Sequence, residues 1–404
     1  MRGSPGPNAA LAHAAPLARR TQAGQGLALV ASGISRKGGT VRQASHHKSS
    51  SRAVLRRAAL AAWYGARSGA AVDLELAAGD ASFRRYYRAR PAGSACDAAG
   101  PSSAAISGSS VILCDAPPET EKNHEFLAIA EALSGAGVRV PRVLAADCEQ
   151  GFLALEDLGD RTLLPELTDR NVDAHYGRAL AMLEQLAVMD KRSVSLPSYD
   201  RRRLDDEMAL CPIWFCEALL GMALTDTDRR RFAALAQVLG DRAAAQPQVV
   251  VHRDYHARNL MLLPDDGLAT IDFQDAVIGP VTYDPVSLLR DCYRRWPADR
   301  VRHWILQHRA ALAARGVPVP EAAPFLVDFD WMGLQRHIKV LGIFARLHQR
   351  DGKSAYLEDL PRVMTYLREV LAAYPDEPAL ADFGTWFDAE VLPRAKVRPW
   401  YVAQ

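Results

Sequence analysis

The stretch VVVHRDYHARNLMLLPDDGLATIDFQD, residues 249–275, decides how the chain is read. Its three β-branched residues, Val249–Val251, predict a buried strand that releases His252, Arg253 and Asp254 into a loop. Asn259 follows, then an apolar run Leu260–Leu263, the turn Pro264-Asp265-Asp266-Gly267 and a second apolar run Leu268–Ile271. These predict a hairpin that closes on Asp272 and brings Asn259 and Asp272 to one end. An amide oxygen and a carboxylate there are hard ligands of the kind Mg²⁺ takes while it holds nucleotide phosphates. Asp254 beside them is placed to accept a proton from an acceptor hydroxyl. Each residue alone has an ordinary reading as a turn or a cap. It is their joint spacing that points to phosphoryl transfer from ATP.

Composition sets the frame around this motif. A chain of 404 residues with 49% hydrophobic residues can bury two full cores, so two lobes are expected. No apolar run is long enough to span a bilayer. The formal net charge of +2 is uneven: residues 1–72 hold 11 Lys and Arg and no acid, leaving 38 basic against 47 acidic residues in the rest. A mildly acidic body argues against a nucleic-acid binder, whose folded domain shows a basic face. The six cysteines (Cys96, Cys114, Cys148, Cys211, Cys216, Cys292) have no CxxC or zinc-like spacing and read as reduced thiols of a cytoplasmic protein.

Residues 1–53, rich in Ala, Gly, Ser and Arg, read as a disordered basic extension. A transit peptide, a secretory signal and flanking sequence ahead of a true start near residue 53 are weighed for it, and the last is favoured. Order is expected from Val54, as a helix with Trp63 on its apolar face and Gly65 as its stop. Strands follow at Val72–Leu76 and Phe83–Ala89, joined through Gly79-Asp80-Ala81-Ser82. This loop is either a phosphate-covering turn or a plain hairpin. The tract 91–110 reads as a mobile insertion. A strand Val111–Leu113, a helix Glu119–Ser134 and strands Val138–Ala145 and Phe152–Leu155 complete a small α+β lobe, residues 54–156. From 157 to 404 helices dominate: Val172–Met189, Leu204–Leu220, Thr225–Leu239, Val281–Tyr293, Ala298–Arg315, Phe329–Arg350 and Leu357–Ala373. The only strands expected in this half flank the opening motif.

His252-Arg253-Asp254, Asn259 and Asp272-Phe273 resemble the aminoglycoside phosphotransferase and choline kinase branch of the protein-kinase-like fold. The run IDFQDAVIGPVTYDPVSLLRDCYRRWP, with Gly79 to Tyr86 upstream and Gly333 to Lys353 downstream, is similar more narrowly to the anomeric sugar kinases of bacterial cell-wall recycling. Those phosphorylate the C1 hydroxyl of N-acetylmuramate and N-acetylglucosamine. The resemblance spans roughly residues 54–390. It implies a bilobal α+β fold with a small mixed-sheet N-lobe and a larger helical C-lobe, and ATP and an amino sugar as partners of a monomer that uses Mg²⁺ and touches neither nucleic acid nor membrane. By matching position it implies Asp254 as catalytic base, Asn259 and Asp272 as metal ligands, and Asp284 as a brace for the catalytic loop. Gly79, Asp80, Ser82 and Phe83 would cover the phosphates, and the backbone of Glu156 and Leu158 would meet the adenine edge.

One departure stands out. The lysine that the family carries on the third strand is missing from VILCDAPP, and the only lysine between Arg57 and Glu156 is Lys122. Phosphoryl transfer still needs positive charge on the phosphates. Arg84, Arg85 or Lys122 must supply it, with an arginine of the Ser82-Phe83-Arg84-Arg85 turn favoured. For the acceptor, Arg258, Asp275 and Arg290 are the substrate candidates. Arg336 and Lys339 are further cations for a lactyl carboxylate, and Trp214, Trp296 and Trp331 are possible sugar platforms. Another small-molecule acceptor, or a nucleotide-binding pseudokinase, are the competing readings.

Overall fold

The computed structural model describes residues 39–79, 84–91 and 110–402. Asp80, Ala81, Ser82 and Phe83, most of the 91–110 tract and residues 1–38 lie outside them. Residues up to Val54 form a unit by themselves, and Leu55 to Gln404 form the second, larger one. Helix α1 (Gly39–Ser68) begins within the stretch read as an extension, where Ala, Arg and Gln favour helix. Gly65 does not stop it. The helix runs one turn further, to Gly69, whose φ of +73° supplies the left-handed residue that ends a helix.

In the larger unit, β1 (Val72–Gly79), β2 (Arg85–Pro91), β3 (Val111–Asp115), α2 (Asn123–Gly135), β4 (Val143–Asp147) and β5 (Phe152–Glu156) follow in order. They form a five-stranded sheet of order β1-β2-β3-β5-β4. The sheet, expected to be mixed, is antiparallel throughout, because β5 lies between β3 and β4, the two strands that α2 joins. Alternation gives it two distinct faces. Tyr87, Ala89, Leu113, Phe152 and Ala154 pack under Leu60 and Trp63 of α1. Tyr86, Cys114, Leu153 and Leu155 look the other way, into the main core with Phe126 and Ile129 of α2. Helix α2 begins at Asn123, later than expected, because Pro117 and Pro118 hold the preceding residues in turns.

The second half is helical around two short sheets. After α3 (Leu163–Glu166), α4 (Val172–Val188), α5 (Arg201–Met208) and α6 (Asp226–Ala245) come β6 (Gln248–Val251), β7 (Leu260–Leu262), β8 (Leu268–Thr270) and β9 (Val277–Pro280). β7 and β8 form the expected hairpin. β9, absent from the sequence reading, pairs antiparallel with β6. The remainder is α7 (Tyr283–Leu289), α8 (Ala298–Ala314), α9 (Ala322–Asp351), α10 (Leu360–Ala373), α11 (Pro378–Trp386) and α12 (Leu392–Lys396). The helix expected over Leu204–Leu220 divides into α5 and a π-helical turn, Cys211–Leu219. Pro212 cannot donate a ladder bond, and the backbone there widens. The helix expected over Val281–Tyr293 stops at Leu289, and beyond it Asp291 Oδ1 accepts the Tyr293 N–H at 3.1 Å instead of an intrahelical carbonyl. Among the described residues no helix is long and apolar enough to cross a membrane.

Helix α9 is the pillar of this half, with buried residues around most of its circumference from Met332 to Leu347. It meets the π-helical turn at Gly342, where an added Cβ would lie 2.4 Å from the Leu210 carbonyl carbon and 2.6 Å from the Cys211 nitrogen. Ala is the better helix former by about 1 kcal/mol. The opposing atoms are backbone, however, so the overpacking cost of about 1–3 kcal/mol outweighs that gain. Gly342→Ala is therefore expected to lower the urea midpoint at unchanged m-value. A variant as stable as the parent would show that the two helices separate freely here.

Candidate active site

Strand β6 ends at Val251 with three buried valines, and the chain then turns sharply at Arg253, whose φ is +77°. An L-residue in this region is strained by about 1–3 kcal/mol unless its surroundings hold it there. They do so in four ways. The Asp284 carboxylate accepts both the His252 N–H (2.6 Å) and the Arg253 N–H (3.0 Å). Arg336 Nη1 donates to the Arg253 carbonyl at 3.3 Å. The Arg253 guanidinium pairs with Glu207 Oε1 at 2.5 Å and lies over the Tyr199 ring. His252 Nε2 meets Thr270 Oγ1 at 2.8 Å, tying the turn to β8.

The turn delivers Asp254, half-buried, toward Asn259. The Asn259 amide nitrogen donates to the Asp254 carbonyl at 3.0 Å and reaches Asp272 Oδ2 at 3.5 Å. With the NH₂ group engaged, the Oδ1 of Asn259 is the atom left to act as a ligand. Asp272 follows β8 at φ +65°, and its Oδ1 accepts from Gln274 Nε2 at 2.5 Å. The Phe273 ring then stacks on Phe126 of α2, centroids 5.0 Å apart, which fixes the depth of the Asp272 loop beneath the sheet. Two hard oxygen donors on adjacent side chains suit a Mg²⁺ ion that draws its other ligands from phosphate and water. Among the described residues no group of three His, Cys, Asp or Glu forms a closed metal cage.

Burial alone would raise the Asp254 carboxyl, but Lys339, Arg336, His256 and Arg253 around it hold it below the usual carboxylate range. It stands ionised at neutral pH and can accept a hydrogen bond from a hydroxyl. The cations are themselves fixed. Lys339 Nζ pairs with Glu207 Oε1 at 3.0 Å and donates to the Tyr283 hydroxyl at 2.9 Å, which also accepts from Arg336 Nη1 at 3.3 Å. Arg336 and Lys339 are committed to the Arg253 carbonyl, the Tyr283 hydroxyl and Glu207, and they buttress the loop from behind. Glu207 and Tyr283 were not singled out by sequence reasoning. Glu207 sits in the charged run RRRLDDEM of α5, where nothing distinguishes it from a surface acid.

The other expected residues fall as follows. Gly79 pairs with Arg85 at the mouth of the β1–β2 hairpin, and Asp80, Ser82 and Phe83 between them lie outside the described residues. Arg84 is 3% exposed and pairs with Glu121, whereas Arg85 is on the opposite side of the strand, 3.7 Å from Asp115. Lys122 is exposed. The Glu156 carboxylate is taken by Arg139 at 2.7 Å and Arg142 at 3.2 Å, chiefly the former, which draws its pKa down to about 2. Leu158 packs on Met261 and Ala269 of the β7–β8 hairpin, so the segment after β5 borders the hairpin that joins Asn259 to Asp272. Arg258 is exposed, its guanidinium carbon 3.5 Å from the Tyr293 ring centroid. Asp275 is exposed, with its carbonyl facing Arg253 Nη1 at 3.5 Å. Arg290 is held by Asp330 at 2.5 Å over the Phe329 ring. Of the tryptophans, Trp296 is buried, donating to Tyr176, and Trp331 packs edge-on against Tyr374.

Residues 73–313 match the model of the phosphotransferase enzyme family. The chain is 42% identical to the N-acetylmuramate/N-acetylglucosamine kinase of Pseudomonas putida over 77% of its own length and 86% of that protein's. It is 40% identical to the Neisseria meningitidis protein of the same name, over 75% and 87%. Among solved structures it superposes on the choline kinase LicA from Streptococcus pneumoniae with a TM-score of 0.52, covering 74% of this chain and 94% of that one at 14% identity. That likeness is one of fold: a bilobal, protein-kinase-like arrangement.

The Asp284 carboxylate is the hinge of the whole site. Asp284→Ala would leave two buried N–H groups unpaired at about 1–3 kcal/mol each and release the strain at Arg253. Urea unfolding is expected to show a loss of about 2–5 kcal/mol, with Asp284→Asn, which keeps one acceptor oxygen, losing less. An alanine variant within about 0.5 kcal/mol of the parent would contradict the bracing role.

Proposed function

We propose that this chain, which belongs to the phosphotransferase enzyme family, transfers the γ-phosphoryl group of ATP to the anomeric hydroxyl of N-acetylmuramate and N-acetylglucosamine. The acceptor is argued from the relatives at 40–42% identity that carry those sugars in their names. The transfer chemistry is argued from one observation: Asn259 bridges the Asp254 carbonyl at 3.0 Å and the Asp272 carboxylate at 3.5 Å, gathering a base and two metal ligands around one point.

In this reading the sheet half, residues 54–156, covers the nucleotide, and the helical half from 157 carries the catalytic loop and the sugar. The adenine edge meets the Glu156 carbonyl and the Leu158 N–H, and the β1–β2 hairpin lies over the phosphates. Asn259 Oδ1 and the Asp272 carboxylate would hold Mg²⁺, which when bound would supply positive charge to the nucleotide phosphates. The ionised Asp254 accepts the C1–OH proton and aims that oxygen at the γ-phosphorus. The anomeric hydroxyl is more acidic than an ordinary sugar alcohol, so alignment matters more than base strength. Sugars released from cell-wall material and the free cysteines Cys114, Cys148, Cys211, Cys216 and Cys292 fit a cytoplasmic enzyme.

The test is a coupled assay with ATP, Mg²⁺ and a panel of free sugars, with the product position read by ³¹P NMR. An acid-labile 1-phosphate of N-acetylmuramate is expected, and turnover is expected to vanish with EDTA and return with Mg²⁺. Asp254→Asn should lose about 10³-fold or more in kcat while nucleotide affinity stays close to the parent's. No sugar phosphate from any acceptor, or near-normal kcat in Asp254→Asn, would overturn the reading.

A further inference from the structure

The third strand leaves a gap in the phosphotransferase machinery. In protein kinases a strand lysine paired with a helix glutamate is among the groups that position ATP. Here the positions of β3 that face the main core are Ile112 and Cys114, and neither carries charge. A nucleoside triphosphate brings several negative charges into the cleft, and a site with no basic partner for them would hold it poorly.

A buried cation lies one residue before the neighbouring strand β2. Cys114 of β3 pairs with Tyr86 of β2, so these two residues share a face, and alternation puts Arg84 on that face as well. Arg85 points the other way, toward Asp115 and Arg56 of α1. The Arg84 side chain is 3% exposed, close enough to Cys114 to bear electrostatically on its thiol, and pairs with Glu121 Oε2 at 3.2 Å just ahead of α2. Its guanidinium carbon lies 5.1 Å from the Phe126 ring, and Phe126 stacks on Phe273, next to the metal-ligand candidate Asp272. A chain of contacts thus runs from the arginine through two rings to the Asp272 loop. Arg84 also directly follows, in sequence, the Gly79–Phe83 stretch that the resemblance assigns to the phosphates.

We propose that Arg84 is the phosphate-gripping cation of this enzyme, and that Arg84–Glu121 replaces the strand-lysine and helix-glutamate pair. The proposal rests on the phosphotransferase reading for its ligand class, a nucleoside di- or triphosphate. Arginine suits the place. Its guanidinium keeps its charge when desolvated, where a buried lysine gives up its proton readily, and its fork binds two phosphate oxygens at once. Glu121 holds the fork in place before the nucleotide arrives.

The experiment measures binding of ADP and of adenosine by calorimetry, and the ATP KM, for the full chain and for Arg84→Met, Arg84→Lys and Arg85→Met. Arg84→Met should weaken ADP by about tenfold or more and raise the ATP KM alike, with adenosine affinity within about twofold of the parent's. Arg84→Lys should recover part of the loss, and Arg85→Met should change ADP binding less than Arg84→Met does. If Arg84→Met binds ADP as the parent does, or loses ADP and adenosine equally, Arg84 is only a packing residue and the proposal falls. The binding arm needs no acceptor. A parent chain that loses ADP affinity through Arg84 yet phosphorylates no amino sugar upholds this assignment while refuting the acceptor.

Discussion

One carboxylate carries the architecture of the site. Asp284, buried at the start of α7, collects the N–H groups of His252 and Arg253 and so stabilises a left-handed arginine that the backbone would otherwise avoid. Everything chemical follows from that turn. It aims Asp254 inward, sends the chain around to Asn259, and starts the β7–β8 hairpin that brings Asp272 back. Without the brace, the strand end would relax toward extended backbone and the three groups would separate.

Around the brace lies a closed set of charges. Glu207 from α5 is shared by Arg253 and Lys339, and Tyr283 next to Asp284 accepts from Lys339 and Arg336. Buried ions are costly unless each finds a partner, and replacing such a set by apolar groups often costs nothing in stability. Their presence here therefore points to a local use. Three cations, Lys339, Arg336 and Arg253, hold Asp254 ionised in a half-buried position, where its own desolvation would favour the protonated acid. In the proposed transfer a hydroxyl-orienting carboxylate must be charged at neutral pH, and this cluster keeps Asp254 so.

What the sequence disclosed and what it hid divide along a physical line. Local chemistry was legible: the valine run, the Pro-Asp-Asp-Gly turn and the spacing of Asp254, Asn259 and Asp272 each write themselves into neighbouring residues, and the hairpin formed where expected. Groups that act through long-range contacts were not. Glu207 meets Arg253 across 46 residues of sequence, and β9 exists only because Val277–Pro280 finds β6 as a partner, a short run with no alternation of its own. Pro212 was visible, but that it would open a π-turn and not end the helix depends on α9 packing against it at Gly342. The choice between Arg84 and Arg85 was open for the same reason. Adjacent residues of one type differ only in which face of the sheet they take, and that is set by the register with β3.

The central claim is that Asp254, Asn259 and Asp272 surround a single reaction point, with the acceptor on the Asp254 side and the nucleotide under the sheet. A crystal structure with ADP, Mg²⁺ and N-acetylmuramate reads this directly. The account requires the metal between Asn259 Oδ1 and the Asp272 carboxylate, and the C1 oxygen of the sugar as the hydroxyl nearest Asp254. A metal bound away from that pair, or a sugar presenting a different hydroxyl to Asp254, would contradict it.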